Sequence, residues 1–453
     1  MGLPNKGQRQ VNRLVRRSPE NTARTRTHVP GNASVKAKHE IWSLFSGAMG
    51  LDLGLEDAGL KPTLAVEIDP SCCETIRTHR PDLTLLAEKH GDVTKLHAAD
   101  LRKARDFDGE VFLMVGGPPC QSFSSGGRRA ALSDPRGNLI YEYLRLIGEV
   151  RPKFFVLENV ANIVTAAVRH REIKNRPGKH WSLKRYNTGE LASKGFTLDA
   201  DELSGTAIRQ LLADLEDTEL GYNVVFGVLD AADYGAPQHR LRFVMLGSKE
   251  GLPPSLPAPT NGPDLKPFET VRNAIEDLQE CPGPHSEYTT GVKRFYDLVP
   301  AGGTWRSLPT DIQKEALGQA WHAGGGKTGF YRRLGWDVPS PTITGRANRK
   351  ASGMCHPSAT RPLSVRECAR LQGFPDGWTF TGAMNKQYMQ IGNAVPVALG
   401  RAIGGCFVNL KRLPLRHAQT VPNMLEAAVL KLRNSARNKR KPPQQVRETP
   451  SGL

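Results

Sequence analysis

The chain has 453 residues, of which 38% are hydrophobic and 24% are charged, and this suits a globular protein with one large and one smaller domain. No run of about 18 apolar residues is present, which argues against a membrane-spanning helix. The N-terminal residues also lack the apolar core of a secretory signal. Seven cysteines without paired CxxC spacing argue against a disulfide framework or a zinc site and favour the cytoplasm.

The net charge of +17 is concentrated at the two ends of the chain. Residues 1–38 and residues 411–453 each carry +8, whereas residues 39–410 carry only +1. We therefore predict two polar, basic and irregular arms beside a nearly neutral folded core. Such arms suit non-specific contact with nucleic-acid phosphates, but they suit a purely solubilising role equally well.

From Glu40 onward, short apolar runs alternate with helical patterns, which is typical of an α/β fold with a parallel sheet. The predicted strands are Ile41–Leu44, Thr63–Ile68, Val111–Val115, Phe154–Leu157, Asn223–Leu229 and Arg242–Leu246. The predicted helices are Leu51–Ala58, Pro70–His79, Leu139–Glu149, Thr206–Leu215, Ser364–Gln372 and Pro396–Leu410.

The sequence changes in character after Gly247, where a proline-rich passage begins. Residues 251–374 are rich in glycine and turn residues, and they are predicted to form a smaller, loop-rich domain. Residues 39–250 and 375–410 are predicted to form the larger domain. A basic insert at about 168–194, with eight Lys/Arg against two acids, interrupts this larger domain.

A glycine-rich turn, Phe45-Ser-Gly-Ala-Met-Gly50, follows the first predicted strand. Glycines allow a tight turn and let the backbone approach a ligand at a helix N-terminus. Glu67 ends the second strand at about the offset from the turn at which an acid meets ribose hydroxyls, and Asp92 lies where a third strand would end. Taken alone, these residues leave a dinucleotide, an S-adenosyl cofactor and ordinary surface turns open.

The segment Val115-Gly-Gly-Pro-Pro-Cys-Gln-Ser-Phe-Ser124 directly follows another apolar strand. Its glycines and prolines fix a loop at the carboxyl edge of the sheet, where open α/β sheets bind ligands. An isolated cysteine is usually a small buried hydrophobe, but Gly-Gly-Pro-Pro is a poor setting for packing. Cys120 is therefore predicted to be a nucleophile, provided that positive neighbours lower its pKa.

Charged residues also lie at the end of one later strand and at the beginning of another. Glu158, in Glu158-Asn-Val160, ends a buried apolar strand, where a carboxylate is costly without a partner. A general acid with a raised pKa would explain it, as would a structural glutamate that caps a loop.

Arg240 and Arg242, in Gln238-His-Arg-Leu-Arg242, fall on one face by strand alternation. They could orient a base, a phosphate or a carboxylate, although a lone surface arginine more often forms a salt bridge.

Together these segments resemble the C5-cytosine DNA methyltransferase family over residues 40–410. The glycine turn, the Pro-Pro-Cys loop, Glu-Asn-Val and Gln-x-Arg-x-Arg occur in the family's order. Two later segments do so as well, Arg366-Glu-Cys-Ala-Arg-Leu-Gln-Gly-Phe-Pro375 and Gly392-Asn-Ala-Val-Pro396. Two departures are Met49, where the family commonly has Gly, and Ser43, where Asp is usual.

The resemblance implies an S-adenosylmethionine-dependent methyltransferase with a Rossmann-like α/β sheet and a smaller target-recognition domain at 251–374. Cys120 would attack C6 of a flipped cytosine, and Glu158 would engage N3 and the exocyclic amine of that base. Arg240 and Arg242 would hold the active-site loop and the base. The residues implied for S-adenosylmethionine are Phe45, Gly47, Gly50, Glu67, Asp92 and Asn393, and no metal is expected.

Double-stranded DNA is the implied partner, and we expect a cytoplasmic, nucleoid-associated monomer that serves a restriction or other defence system. The basic insert is expected to contact DNA that flanks the target. Four arginines of the second domain are candidates for phosphate or guanine contacts, although a solvated surface explains any one of them equally well: Arg332, Arg333, Arg346 and Arg349.

Three other functions compete with this interpretation. A tRNA cytosine methyltransferase would use the same chemistry, but the Cys-Phe-Thr signature of that branch is absent here. A catalytically silent DNA-binding relative would not need Cys120, Glu158 and Arg240 together. A Rossmann oxidoreductase would leave the Pro-Pro-Cys and Gln-x-Arg-x-Arg segments without a role.

Overall fold

The computed structural model describes residues 39–119, 139–169, 199–217, 220–322, 329–408, 410 and 420–438. Several predicted features lie outside these residues: the N-terminal arm at 1–38, Cys120, all but the first two residues of the basic insert, and residues 411–419 and 439–453 of the C-terminal arm.

A mixed seven-stranded sheet organises the fold. The strands are β1 (Ile41–Leu44), β2 (Leu64–Glu67), β3 (Thr84–Ala87), β4 (Leu113–Gly116), β5 (Phe154–Val160), β6 (Asn223–Asp230), β7 (Gln238–His239), β8 (Leu241–Ser248) and β9 (Ser340–Pro341). Their order in the sheet is β3-β2-β1-β4-β5-β8-β6, and β7 and β9 form a separate parallel pair.

The direction of β8 corrects the prediction of a purely parallel sheet. Strands β1 to β5 run parallel, but β8 lies antiparallel to both β5 and β6. Only residues 231–240 connect β6 to β8, and this is too short for the crossover that a parallel neighbour requires. As a result the beginning of β8 lies beside the end of β5, with Arg242 opposite Val160.

The predicted helices are confirmed, with ends within about two residues. The helices are α1 (Gly50–Asp57), α2 (Pro70–His79), α3 (Ala98–Arg105), α4 (Leu139–Val150), α5 (Thr206–Asp217), α6 (Val271–Ile275), α7 (Thr290–Tyr296), α8 (Thr310–Leu317), α9 (Val365–Gln372), α10 (Met384–Asn393), α11 (Val397–Val408) and α12 (Val421–Asn438). At α9, Ser364 and Glu367 form a reciprocal capping box.

Helices cover both faces of the sheet, and strand alternation decides which side chain meets which layer. Trp42 and Leu44 of β1 enter the core shared with α4, α5 and α12. Ile41 enters the opposite core, with α1 and α11. The sheet is therefore buried on both faces, and its carboxyl edge is left to carry polar residues.

The region 251–374 has a small aromatic core of its own, in which Tyr288 stacks on Tyr296 with ring centroids 4.4 Å apart. It also shares a second core with Met49 and Ile76 of the sheet-bearing region. The described residues from 39 onward form one compact unit. The boundaries of a separate second domain stay a prediction.

The prediction of an irregular C-terminal arm is wrong for residues 421–438, which form α12. This helix packs beside the edge strand β6, and its Met424 and Ala428 are buried in the main core. Lys431 forms an ion pair with Asp233 at 2.6 Å. Apolar residues at helical spacing therefore outweigh the basic composition of the segment.

Deleting residues 411–453 is expected to lower the free energy of unfolding by at least about 2 kcal/mol, because Met424 and its apolar neighbours leave the core. Thermal unfolding followed by circular dichroism measures the loss. A matched variant that lacks only residues 439–453 retains the whole of α12 and should keep the full-length midpoint. Equal midpoints for all three proteins would contradict a stabilising role for the helix.

Residues 384–408 are long and apolar enough to cross a membrane by composition alone, and their most apolar window has a mean hydropathy of 1.4. In the structure this stretch is the helix pair α10 and α11. Of its most apolar window, 67% is buried within the protein, so the stretch is a core segment.

Candidate active site

Glu158 and Arg242 form a buried ion pair at the carboxyl edge of the sheet. Glu158 is 7% exposed, and Arg242 Nε lies 2.8 Å from its Oε1. The antiparallel register of β5 and β8 brings the two side chains together. Burial raises the pKa of Glu158 above its ordinary value, although Arg242 and Arg240 act in the opposite direction. The site can therefore hold a proton at a higher pH than an exposed glutamate.

The two glycines at the end of β4 pack closely against Tyr143 and Glu158. A Cβ at Gly116 would lie 2.6 Å from the Tyr143 ring, and one at Gly117 would lie 3.0 Å from Glu158 Oε2. Asn159 donates a hydrogen bond to the Pro118 carbonyl at 3.2 Å. The chain is thus held against Glu158 up to the residues just before Cys120, which itself lies outside the described residues.

Arg240 is fully buried and acts as a connector. Its guanidinium donates to the carbonyl of Ile343 at 2.8 Å and to the carbonyl of Gly392 at 2.6 Å. Its backbone N–H donates to Asp230 at 2.8 Å. The sequence predicted similar roles for Arg240 and Arg242, but the direct partner of Glu158 is Arg242. Arg240 instead joins the region 251–374 to α10 beside the carboxyl edge of the sheet.

Two glutamines complete this junction, and neither was predicted to have a role of its own. The Gln238 amide donates to the Leu371 carbonyl and to the Gln372 side chain, both at 2.7 Å. Its oxygen accepts the Ile343 N–H at 3.2 Å. Both glutamines are fully buried. The only signal in the sequence was their position inside two recognised motifs.

The glycine turn after β1 has an unusual backbone. Phe45, Gly47 and Met49 have positive φ values of 57°, 54° and 65°, a conformation that favours glycine. Gly47 N–H donates to Glu67 Oε2 at 2.7 Å. The turn therefore lies directly against the end of β2, as the predicted cofactor site requires.

Glu67 is 8% exposed and accepts two further backbone N–H groups, from Ile68 and Asp69, both at 2.8 Å. Burial raises the pKa of Glu67, and these hydrogen bonds counteract the rise. A carboxylate has about four acceptor positions, so about one is left for a ribose hydroxyl. The adjacent Ile68 is 55% exposed and offers an apolar surface that we did not predict.

Asp92 follows a short 3-10 turn after β3 rather than the strand end itself. A Cβ at Gly91 would lie 2.3 Å from the Glu67 carbonyl, so glycine is needed to bring this turn against β2. Lys95 and Thr94 hold the Asp92 carboxylate and lower its pKa. Glu67 and Asp92 consequently lie on neighbouring segments.

Helix α1 and the segment around Asn393 are in very close contact. A Cβ at Gly50 would lie 2.3 Å from the Val395 carbonyl, and Asn393 is exposed at the end of α10. Met49, one of the two departures from the family pattern, is fully buried in the core shared with the region 251–374. The Met49 side chain therefore packs in this core and does not lie on the outer surface of the turn.

The arginines of the region 251–374 differ sharply in their surroundings. Arg333 is 5% exposed and donates to the carbonyls of Val299, Tyr296 and His356. The suggestion that Arg333 contacts DNA is therefore wrong, because its donors are used inside the protein. Arg346 and Arg349 are exposed and keep their candidacy.

The C-5 cytosine-specific DNA methylase family model matches residues 39–176 and 201–408. The chain belongs to this family. It is accordingly a DNA cytosine-C5 methyltransferase, and the family uses S-adenosylmethionine as its methyl donor. The tRNA-modifying and oxidoreductase alternatives have no such support.

Similar proteins include two bacterial type II methyltransferases. M.Eco47II of Escherichia coli is 36% identical over 382 residues, which cover 82% of this chain and 79% of that protein. M.Sau96I of Staphylococcus aureus is 34% identical, with coverage of 83% and 77%. A crystal structure of a DNA modification methyltransferase encoded within an E. coli prophage gives a TM-score of 0.50 at 23% identity, covering 83% of this chain and all of that one. That likeness concerns the fold.

Proposed function

We propose that this methyltransferase modifies a cytosine flipped out of duplex DNA through a covalent bond between Cys120 and C6 of the base. The observation that carries the proposal is the buried Glu158–Arg242 pair beside Gly117. Gly117 lies in the short segment between the end of β4 and Cys120. A base inside a stacked duplex cannot reach such a recessed group, so the base must be extruded at a cost of a few kcal/mol.

Glu158 is assigned to N3 and the exocyclic amine of the flipped cytosine. Because its pKa is raised, Glu158 retains a proton to higher pH than an ordinary glutamate, and in that form it can donate to N3 when the Cys120 thiolate attacks C6. This makes C5 nucleophilic, as an enamine carbon is. After methylation the C5 proton passes to solvent, N3 returns its proton to Glu158, and the C6–S bond breaks, which releases the Cys120 thiolate. Arg242 fixes the orientation of Glu158 throughout.

The turn after β1 suits S-adenosylmethionine, which supplies an electrophilic methyl group when bound. Gly47 and Gly50 let the backbone come close, and Phe45 is half-buried at the edge of the turn. The remaining acceptor position of Glu67 suits a ribose hydroxyl, and Asp92 suits the adenine amine. We assign the exposed Asn393 to the same cleft, and we add Ile68 as an apolar contact for the adenine ring.

For DNA, we assign phosphate or base contacts to the exposed Arg346 and Arg349. Both follow closely on Ile343, whose carbonyl Arg240 holds, so this turn begins beside the catalytic edge. The basic insert is assigned to flanking phosphates. Because the similar bacterial proteins are type II methyltransferases, we assign the enzyme to a restriction-modification or related defence system.

Mechanism-based trapping tests the covalent step. The target site is first mapped by bisulfite sequencing of DNA from cells that express the enzyme. A duplex with 5-fluorocytosine at that site is then incubated with enzyme and S-adenosylmethionine. Since fluorine cannot leave as the C5 proton does, a complex that resists denaturation should accumulate.

Three matched reactions control the trap: duplex with ordinary cytosine, fluorinated duplex with a scrambled site, and omission of the methyl donor. None of them should give the stable complex. Confirmed methylation of the site without trapping would rule out the covalent mechanism. Methyl transfer to tRNA instead of duplex DNA would overturn the assignment of the substrate.

A further inference from the structure

A buried carboxylate lies behind the turn that we assign to the methyl donor. Asp52, in the first turn of α1, is 1% exposed, and neither of its oxygens has a hydrogen-bond partner among the described residues. The Ser43 hydroxyl lies near enough to lower the pKa of Asp52, although the pair does not meet the distance and angle limits of a hydrogen bond. Most buried carboxylates have a cationic or hydrogen-bonding partner, so Asp52 requires an explanation.

The charged groups around Asp52 leave it without a close cation. Glu56, one turn further along α1, adds a second negative charge, and Arg80 at the end of α2 is the nearest positive one. Arg80 is already engaged by Glu56 through two hydrogen bonds, one of 3.0 Å from Nε. Arg401 of the adjacent helix α11 is exposed, and His79 of α2 stacks on a tryptophan. Burial therefore raises the pKa of Asp52 to about 7.

Asp52 is connected to the turn itself through a pair of buried serines. Ser46, inside the turn, donates to the Ser43 hydroxyl at 3.0 Å, and Ser43 is the polar neighbour of Asp52. The turn also bears the positive φ values at Phe45 and Gly47. A positive charge bound in this turn would face a low-dielectric region that holds an uncompensated carboxyl group.

The donor and the product differ in that charge. S-adenosylmethionine has a sulfonium cation, whereas S-adenosylhomocysteine has a neutral thioether in its place. The two share the adenosine, the amino group and the carboxylate. An electrostatic group behind the turn can therefore distinguish them without touching either one.

We propose that Asp52 is a positioning residue that favours the cationic methyl donor over the neutral product. Binding of the donor stabilises the Asp52 carboxylate, which releases its proton to solvent. Once the methyl group has been transferred the cation is gone, and Asp52 takes a proton back from solvent. This inference rests on the proposed cofactor site, and it assigns to that site a selectivity that favours exchange of product for donor.

Isothermal titration calorimetry of the full-length protein tests the proposal. Each ligand is titrated at pH 6, 7 and 8 in buffers of different ionisation enthalpy, which reports the protons released. We expect the preference for donor over product to increase about fivefold or more from pH 6 to pH 8. Donor binding near pH 7 should release more protons than product binding. The difference between the wild type and Asp52→Asn isolates the contribution of Asp52, because Glu67 and the amino group of each ligand titrate in both proteins.

Asp52→Asn removes the charge and keeps the shape. In this variant the increase of the preference between pH 6 and pH 8 should be smaller than in the wild type, and the excess of protons that donor binding releases should fall by the contribution of Asp52. A variant with the wild-type preference and proton release would overturn the proposal. If neither ligand bound the wild-type protein, the proposed cofactor site would fail instead, so the two failures are distinguishable.

Glu56→Gln provides a second variant in case Asp52→Asn does not fold. It removes a negative charge that raises the pKa of Asp52, so the pH at which the preference changes should move downward, and the preference at pH 6 should be higher than in the wild type. An unchanged pH dependence in a folded Glu56→Gln variant would contradict the role of Asp52. Circular dichroism establishes the folded state of both variants before titration.

Discussion

Replacing Cys120 with serine is expected to reduce the rate of methyl transfer by at least about 10³-fold, because a hydroxyl is a far weaker nucleophile than a thiolate. Binding of duplex DNA should change little, since the substitution alters one atom. Single-turnover transfer of a labelled methyl group measures the rate, and gel mobility measures the binding.

Cys281 offers a matched control for this substitution, because it is an exposed cysteine distant in sequence from every proposed motif. Cys281→Ser should methylate DNA at the wild-type rate and should still be trapped by 5-fluorocytosine. Near-wild-type activity in Cys120→Ser would refute the proposed mechanism, as would equal losses in the two variants.

The second large effect is expected for Glu158→Gln, which should lower the single-turnover rate by about 10² to 10⁴-fold, the usual range for a general acid. The glutamine amide can still donate a hydrogen bond to N3, but it cannot transfer a proton. In the wild type the raised pKa of Glu158 keeps the group protonated to higher pH than usual. The rate should therefore fall as the pH rises through that pKa, and this limb should be absent from the variant.

The variant Arg242→Gln changes the pKa of Glu158 and leaves the carboxyl group itself in place. Arg242 lowers the pKa of Glu158, so its removal should raise that pKa further and move the alkaline limb of the rate profile to higher pH. The absolute rate should also fall, because Glu158 loses its orienting partner. An alkaline limb at the same pH in Arg242→Gln and the wild type would assign that limb to a different group.

The sequence by itself determined the order of the elements and most of the polar residues at the carboxyl edge. Apolar periodicity located the helices, and glycine and proline marked the turns, because these signals come from local backbone preferences. Glu67 and Glu158 were identifiable since an acid at the end of a buried strand is conspicuous. The region 421–438 was misjudged because charge composition concealed a narrow apolar stripe.

Only the tertiary structure decided how residues distant in sequence are paired. Because β8 runs antiparallel to β5, Arg242 forms the ion pair with Glu158. Arg240 instead donates hydrogen bonds to the carbonyl groups of Ile343 and Gly392. Burial made Arg333 an internal donor, and it left the Asp52 oxygens without a hydrogen-bond partner among the described residues. Local sequence cannot specify these outcomes, because the ionisation and the partners of a side chain depend on the solvent excluded and the charges supplied by the whole fold.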